Sequence, residues 1–184
     1  DDFIPMGRPV PVPSGGSIAR ISFSVWLRSR IRSLMQKEAF DVIHLHEPMA
    51  GFVTLNTIGV ADSLDAIKIG TFHTNKGTRL YRIGGKRLAM PYFRRLNGRI
   101  AVSQPAYQFI SRHLPGKYEI IPNGIQVDDF AQATPFPHLR DGMINLLFVG
   151  RLEKRKGLKH LLSAYSMLKW DWPNLRLLVV GPGK

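Results

Sequence analysis

The sequence has no cysteine, no long apolar run and, over two long stretches, no acidic residue. The lack of cysteine excludes a disulfide framework and a thiolate metal site, and it fits a reducing compartment. No apolar run approaches the ~20 residues that span a bilayer as a helix. The opening DDFIPMGRPV does not resemble a signal peptide. Because the chain does not begin with Met, we expect it to be a piece of a longer protein.

Acidic residues are missing where basic residues concentrate. None lies between Asp2 and Glu38, and none lies between Asp65 and Glu119, where eleven Lys and Arg occur. The formal net charge is +13. Such a field attracts phosphate-bearing partners, which include nucleic acid, an anionic membrane and a phosphorylated small molecule. Charge alone does not choose among the three.

Strand-like and helix-like patterns alternate along the chain, whose 44% of apolar residues is enough for a core. The predicted strands cover 40–46, 67–74, 98–103, 118–124, 144–150 and 175–181. The predicted helices cover 19–38, 50–64, 77–97, 105–113 and 157–169, with Pro91 at a start or kink. Residues 15–17 form a predicted turn and 128–143 a predicted linker. This alternation predicts α/β units with parallel sheets on both sides of the linker.

Small or polar residues follow the predicted strands. They are His46-Glu47, His73-Thr74, Ser103, Asn123-Gly124 and Gly150-Arg151. In open parallel sheets, ligands bind outside the carboxyl ends of the strands. The sequence therefore predicts a binding site at these strand ends.

The segment VGRLEKRKGLKHLL (149–162) places four cations between a predicted strand and a predicted helix: Arg151, Lys154, Arg155 and Lys156. Cations at a helix N-terminus oppose the helix dipole by about 0.3–1 kcal/mol each, so an anion in this turn would explain them. Arg151 offers a planar fork and Lys156 a compact charge, with helix amides behind them. Gly150 and Gly157 permit close backbone approach. A solvated basic turn is the alternative, and the spacing leaves both open.

Five segments in order resemble one family. The string Gly150-Arg151-Leu152, followed by Lys156-Gly157, resembles a GRL…KG element, and IIPNGIQVDDF (121–130) resembles a segment that precedes the interdomain linker. IHLHEP (43–48), TFHT (71–74) and IAVS (100–103) match N-terminal strands. Together they resemble the retaining glycosyltransferases of the GT-B fold, family 4. GGSIARISF (15–23) is similar to a loop in phosphatidyl-myo-inositol mannosyltransferases.

The resemblance implies an α/β enzyme of the GT-B type with two Rossmann-like parallel-sheet domains and an active site in the cleft between them. Residues 1–135 would be the acceptor-side domain without its first strands, and 136–184 the start of the nucleotide-sugar domain, truncated. The implied reaction transfers a hexose, mannose or glucose, with retention to a lipid or polyol acceptor. The family's N-terminal Gly-rich loop and C-terminal Glu-rich element are absent, so we expect the chain alone to be inactive.

The resemblance also assigns the donor site. It implies that Gly150, Arg151 and Lys156 hold the diphosphate of GDP-mannose or UDP-glucose, with no cofactor and no metal. The departing nucleoside diphosphate gains negative charge, and preorganised cations stabilise that charge most in the transition state.

Further residues receive roles only through the resemblance. His73 would contact the transferred sugar or the acceptor, and Arg20, with Ser17 ahead of it, would hold an acceptor phosphate. Thr74, Ser103 and Asn123 would line the cleft. The alternatives are a strand-end histidine bonded to backbone, an ordinary helix-start arginine, and turn residues. PSGG (13–16) departs from the mannosyltransferase loop, which carries an aromatic residue and Asn.

Two other patterns are assigned no site. His44 and His46 lie two apart on one strand beside Glu47, but a third zinc ligand is not evident. We expect one buried histidine and one at the rim. VVGPGK (179–184) lacks the spacing of a phosphate loop.

Basic and aromatic residues interleave in the acid-free region 76–99, which suits an anionic membrane surface as well as a solvated helix face. The prediction is a cytoplasmic protein, peripheral at the inner membrane face, that binds a nucleotide-sugar donor and an anionic lipid acceptor and has no nucleic-acid partner. Two functions without catalysis stay open: a nucleic-acid-binding protein, although no such signature is present, and a membrane-binding module.

Overall fold

The computed structural model describes residues 3–7, 9–14, 17–22, 26–75, 86–134 and 136–183. The chain divides into two compact units, Asp1–Gly124 and Ile125–Lys184. The domain boundary after residue 135 stays a prediction, because compactness alone does not define a domain.

The first unit contains a parallel four-stranded sheet. Its strands are β3 (Val42–His46), β4 (Ile67–Phe72), β5 (Gly98–Ala101) and β6 (Glu119–Ile120), and they lie side by side in this order. Its helices are α1 (Leu27–Glu38), α2 (Phe52–Ala61), α3 (Lys86–Phe93) and α4 (Gln104–His113). Strands and helices alternate as predicted, which confirms the α/β class with parallel sheets.

The core lies between this sheet and its helices. Strand β3 buries Ile43 and Leu45 and exposes Val42, His44 and His46. The buried cluster consists of Leu27, Ile31, Met35, Ile43, Leu45, Ile58, Val60, Ala61, Ala66, Phe72, Ala89, Phe93, Leu96, Ile110 and Leu114. Among the residues that the structure describes, both histidines of β3 are exposed, and the expectation that one is buried is wrong.

The first part of the predicted helix 19–38 is a strand. Strands β1 (Pro9–Ser14) and β2 (Ser17–Ser22) pair antiparallel, with Ser14 opposite Ser17. The Pro-rich β1 cannot donate at its proline positions, so it suits a strand at a sheet edge. Pairing with β1 overrides the helical spacing, and helix α1 begins only at Leu27. The predicted Gly15-Gly16 part of the turn lies outside the described residues.

Helix α1 buries Leu27, Ile31 and Met35, which recur every four residues on one face. It ends at Glu38, and the cap residue Ala39 has a left-handed backbone (φ 45°) and donates its N–H to the carbonyl of Met35 at 3.1 Å. Of the predicted helix 77–97, the structure shows α3 with Pro91 inside it, and residues 76–85 lie outside the described residues.

The predicted strand 118–124 is short, because Pro122 lacks the N–H that would extend the ladder beyond β6. The predicted linker 128–143 is not featureless. Helix α5 (Val127–Ala131) overlaps its start, and a 3₁₀ turn covers Pro137–Leu139.

The second unit pairs β7 (Ile144–Val149) in parallel with β8 (Leu175–Val180), and helix α6 (Leu158–Asp171) connects them. Tyr165 Oη donates to the carbonyl of Leu175 at 3.0 Å, which ties the helix to β8. Asp141 accepts from Arg176 Nη2 at 2.6 Å, and this hydrogen bond lowers the pKa of the Asp141 carboxyl. Within the described ranges, none of the helices combines the length and apolarity needed to cross a bilayer.

Candidate functional site

The cationic elbow is the segment Gly150–Gly157 of the second unit, between β7 and α6. Its cations Lys154, Arg155 and Lys156 form a 3₁₀ turn, which ends at Gly157 in a left-handed conformation (φ 75°). Glycine adopts this conformation at no steric cost, so the chain can turn from the 3₁₀ segment into α6. Lys154, Arg155 and Lys156 therefore lie just before the helix and not inside its first turn.

A carboxylate bridges two cations of the elbow. Glu153 Oε1 lies 2.9 Å from Arg151 Nη1, and its Oε2 lies 2.9 Å from Arg155 Nε. The Glu153 side chain is 23% exposed, whereas those of Arg151 and Arg155 are 49% and 42% exposed. In this structure Glu153 therefore provides the negative charge that the two arginines contact.

The stem of Lys156 folds back toward the strand end. A methyl group added at Gly150 would lie 3.8 Å from Lys156 Cδ and 3.9 Å from its Cε. The structure thus brings the side chain of Lys156 to the backbone next to Arg151. Both side chains are exposed and accessible to a ligand.

The segment 181–183 supports the elbow from the end of β8. Gly150 N donates to the carbonyl of Val180, and Leu152 N donates to that of Pro182, each at 2.9 Å. A Cβ on Gly181 (φ 151°) would overlap the carbonyl oxygen of Gly150 and lie 2.6 Å from its carbonyl carbon. Only glycine fits this approach without displacing the Gly150–Arg151 peptide.

An open cavity of about 810 Å³ lies beside the elbow. It is lined by Leu152, Glu153, Lys154, Leu158, Lys159, His160, Leu162, Ser163 and Ser166. Its leucines come from the elbow and from one side of α6, and neither Arg151 nor Lys156 lines it. The cavity lining thus contains Glu153, which contacts Arg151, but neither cation of the predicted diphosphate site.

His73 and Thr74 follow β4 in the first unit, at the edge where β3 also ends. His73 is exposed, and its Nε2 lies 2.8 Å from Nδ1 of His46. Glu47 Oε1 accepts from the His73 N–H and from the Thr74 hydroxyl, both at 2.7 Å. The polar residues expected at these two strand ends are thus in direct contact.

The other predicted site residues lie elsewhere or make structural contacts. Ser103 caps α4, since its Oγ accepts from Ala106 N at 3.3 Å. Asn123 is exposed in the irregular segment after β6. Ser17 and Arg20 lie in β2, where Arg20 pairs with Pro11, and their side chains are outside what the structure describes.

Among the described residues, no group of three or more His, Asp or Glu is placed to hold a metal ion. His44 Nε2 instead contacts Thr71 Oγ1 at 2.7 Å.

Three residues of the site receive no individual role from the sequence: His46, Glu47 and Glu153. Glu153 is the single acid among the cations of the elbow, and this pattern is enough to predict an ion pair there. His46 and Glu47 stood among the strand-end residues, but their contacts with His73 depend on the parallel pairing of β3 with β4.

Comparison with known sequences identifies the family. The model of the family described as Glycosyltransferase Family 4 matches residues 2–129, which is more than half of the chain. The model described as Glycosyl transferases group 1 matches residues 132–184, which contain the cationic elbow.

The chain belongs to glycosyltransferase family 4.

The resemblance seen in the sequence is therefore confirmed, and the parallel α/β units agree with the GT-B type expected of this family.

Curated relatives of this family 4 chain share a single description. Phosphatidyl-myo-inositol mannosyltransferase of Mycobacterium tuberculosis (strain ATCC 25618 / H37Rv) is 35% identical over 185 residues, covering 100% of this chain and 48% of the relative. The Mycobacterium leprae (strain TN) protein is 35% identical over 181 residues, covering 96% and 47%. That of Propionibacterium freudenreichii subsp. shermanii is 32% identical over 185 residues, covering 99% and 48%. The chain thus spans about half the length of the relatives it matches.

Proposed function

We propose that this protein, at the full length of its relatives, transfers a hexose from a nucleotide diphosphate sugar to a lipid acceptor with retention of configuration. The sugar is mannose and the acceptor is a phosphatidyl-myo-inositol. The observation that carries the proposal is the 35% identity over the entire chain with proteins described as phosphatidyl-myo-inositol mannosyltransferases. GDP-mannose is the expected donor, and UDP-glucose is the alternative that the experiment below separates from it.

The elbow supplies the chemistry of the leaving group. As the glycosidic bond breaks, the diphosphate gains negative charge, and Arg151 and Lys156 stabilise it with the amides of α6 behind them. Arg151 exchanges its contact with Glu153 for a phosphate oxygen. Two cations and a helix terminus neutralise the diphosphate without a metal or a cofactor. The departing phosphate accepts the proton of the acceptor hydroxyl, so no protein nucleophile is needed.

The first unit serves the reacting sugar and the acceptor. His73 contacts the transferred sugar or the acceptor, and Thr74 lies next to it. Arg20, with Ser17, holds the phosphate of the acceptor lipid. Ser103 and Asn123 line the site, although the Oγ of Ser103 already caps α4, which limits it to one further hydrogen bond as an acceptor and one as a donor.

The protein works at the cytoplasmic face of an anionic membrane, to which it binds peripherally. Support comes from α3, which buries Ala89 and Phe93 and exposes Arg87, Leu88 and Pro91. Leu88 is 74% exposed. An apolar side chain among cations suits an interface where acyl chains meet anionic headgroups.

The test is a transfer assay with the full-length protein, vesicles that contain phosphatidylinositol, and GDP-mannose or UDP-glucose as donor. We expect mannosylated lipid from GDP-mannose, with the anomeric configuration of the donor kept in the product by NMR. Transfer from UDP-glucose alone would change the assigned sugar. Binding of DNA that falls steeply with salt, without any response to either donor, would replace the enzyme with a nucleic-acid-binding protein.

A further inference from the structure

Glu47 joins the ends of β3 and β4 through an uncommon backbone conformation. It is the first residue after β3, and its φ is 49°, a left-handed value that few residues other than glycine adopt. Its N–H donates to the carbonyl of Thr71 at 2.8 Å, which adds one bond to the β3–β4 ladder. Its own carbonyl accepts from Ala50 N at 2.9 Å. These two bonds hold Glu47 in a conformation that would otherwise be unfavourable.

The Glu47 side chain fixes the backbone of the neighbouring strand end. One carboxylate oxygen, Oε1, accepts from the N–H of His73 and from the hydroxyl of Thr74, each at 2.7 Å. Hydrogen bonds to an ionised acceptor are stronger than those between neutral groups. The two contacts place the Cα of His73 relative to β3 and restrict its backbone.

His46 fixes the ring of the same histidine. Its Nδ1 lies 2.8 Å from His73 Nε2, and the two ring centroids are 5.1 Å apart. In such a hydrogen bond one ring nitrogen carries the hydrogen and the other the lone pair, so the tautomer of one ring sets that of the other. His46 is in turn held beside His44, whose ring is 4.6 Å away and contacts Thr71 Oγ1.

We propose that Glu47 and His46 are positioning residues for His73. Glu47 sets its backbone and His46 sets its ring plane and tautomer, so Nδ1 is the ring nitrogen through which His73 meets the sugar or the acceptor. The inference rests on the proposed function for the role of His73, but the contacts themselves are tested without catalysis.

The role of Glu47 in fixing the backbone is tested by hydrogen exchange of the His73 amide, which NMR measures in the 184-residue chain. Glu47→Ala removes the acceptor oxygen, and we expect exchange to accelerate by about tenfold or more. Glu47→Gln keeps an amide oxygen at that place, so exchange stays within about threefold of the unmodified chain. Glu38→Ala, which removes an exposed carboxylate paired with Lys37, is the matched control and leaves the rate unchanged. Equal exchange in Glu47→Ala and the unmodified chain overturns the role of Glu47.

The role of His46 in fixing the ring is tested by the nitrogen chemical shifts of the His73 imidazole. We expect one dominant tautomer in the unmodified chain and a mixture in His46→Leu, with His138→Leu as the control that leaves His73 unchanged. Unaltered His73 shifts in His46→Leu overturn the role of His46.

In the full-length enzyme, Glu47→Ala lowers kcat more than it changes the KM for the donor, and Glu47→Gln restores most of kcat. If these NMR results hold while no transfer is found, the proposed function fails and the positioning contacts stand.

Discussion

At the scale of single residues, Glu153 changes how the elbow is understood. The sequence predicted cations that gather around an anion, and the structure places a carboxylate of the same chain between two of them. An exposed ion pair of this kind is worth about 0.2–1 kcal/mol. We therefore expect a diphosphate, with more charge and more acceptor oxygens, to displace it.

The Glu153→Gln variant shows whether Glu153 competes with the ligand for Arg151 or holds Arg151 in its binding orientation. Removing the carboxylate charge breaks the ion pair between Glu153 and Arg151. It also removes the repulsion between Glu153 and the anionic ligand. We expect nucleoside diphosphate to bind about two- to fivefold more tightly to the full-length protein, in line with the small energy of an exposed pair. Calorimetry measures this, with Glu119→Gln as a control that removes a carboxylate from an exposed ion pair outside the elbow, the one with Lys117. Weaker binding would mean that Glu153 holds Arg151 in its binding orientation.

At the scale of elements, the polar side chains near His73 depend on close packing behind β4. Gly70 lies next to Thr71, and a Cβ there would lie 2.8 Å from Leu96 Cδ1 and 2.9 Å from Pro48 Cγ. Pro48 is fully buried and Leu96 is nearly so, which leaves both little room to move. The strand can approach its covering residues only because position 70 has no side chain.

Gly70→Ala is therefore expected to destabilise the first unit by about 1–3 kcal/mol, the usual cost of overpacking a core. Urea denaturation of the chain, followed by circular dichroism, measures the change. The matched control is Gly124→Ala, because a Cβ at that position meets nothing within 4 Å. A surface change of this kind shifts stability by at most about 0.5 kcal/mol. Equal stabilities of the two variants would show that the β4 packing is looser than described.

Most elements of the sheet units could be predicted from the sequence, because β-branched runs and apolar spacing record which face is buried. Strands β3, β4, β5 and β7 and helices α2, α4 and α6 match their predictions to within a few residues. Strand β2 could not be predicted, since Ser17–Ser22 is fixed by pairing with the Pro-rich β1 and not by its own pattern. The contact of Glu47 with His73 could not be predicted either, because it depends on the strand register and on the left-handed backbone of Glu47.

At the scale of the whole molecule, the +13 charge is arranged in acid-free stretches. A field of this size raises the local concentration of anionic partners before any specific contact forms. Among the residues that the structure describes, α3 exposes Arg87 and is followed by the exposed Arg94. The same charge thus serves two expected partners, a diphosphate at the elbow and anionic lipid at α3.

Membrane binding by α3 predicts a position-dependent effect of charge removal. The double variant Arg87→Gln/Arg94→Gln should lose about 2 kcal/mol of vesicle binding, roughly 30-fold, since each basic residue near an anionic surface contributes about 1 kcal/mol. Co-sedimentation with anionic and with zwitterionic vesicles measures it. Arg112→Gln/Arg140→Gln removes the same charge from exposed sites elsewhere and is the control. Equal losses in both double variants would show that net charge, and not α3, binds the membrane.

Binding of a diphosphate by the cationic elbow is tested most directly by calorimetry of the full-length protein with GDP and UDP. In Arg151→Ala and in Lys156→Ala, we expect the favoured nucleotide to bind roughly 10- to 150-fold more weakly, the loss of a charged hydrogen bond worth about 1.5–3 kcal/mol. Lys159→Ala, which removes an exposed cation from the first turn of α6, should bind like the unmodified protein. Unchanged affinity in both Arg151→Ala and Lys156→Ala would contradict the assignment of the elbow as the diphosphate site.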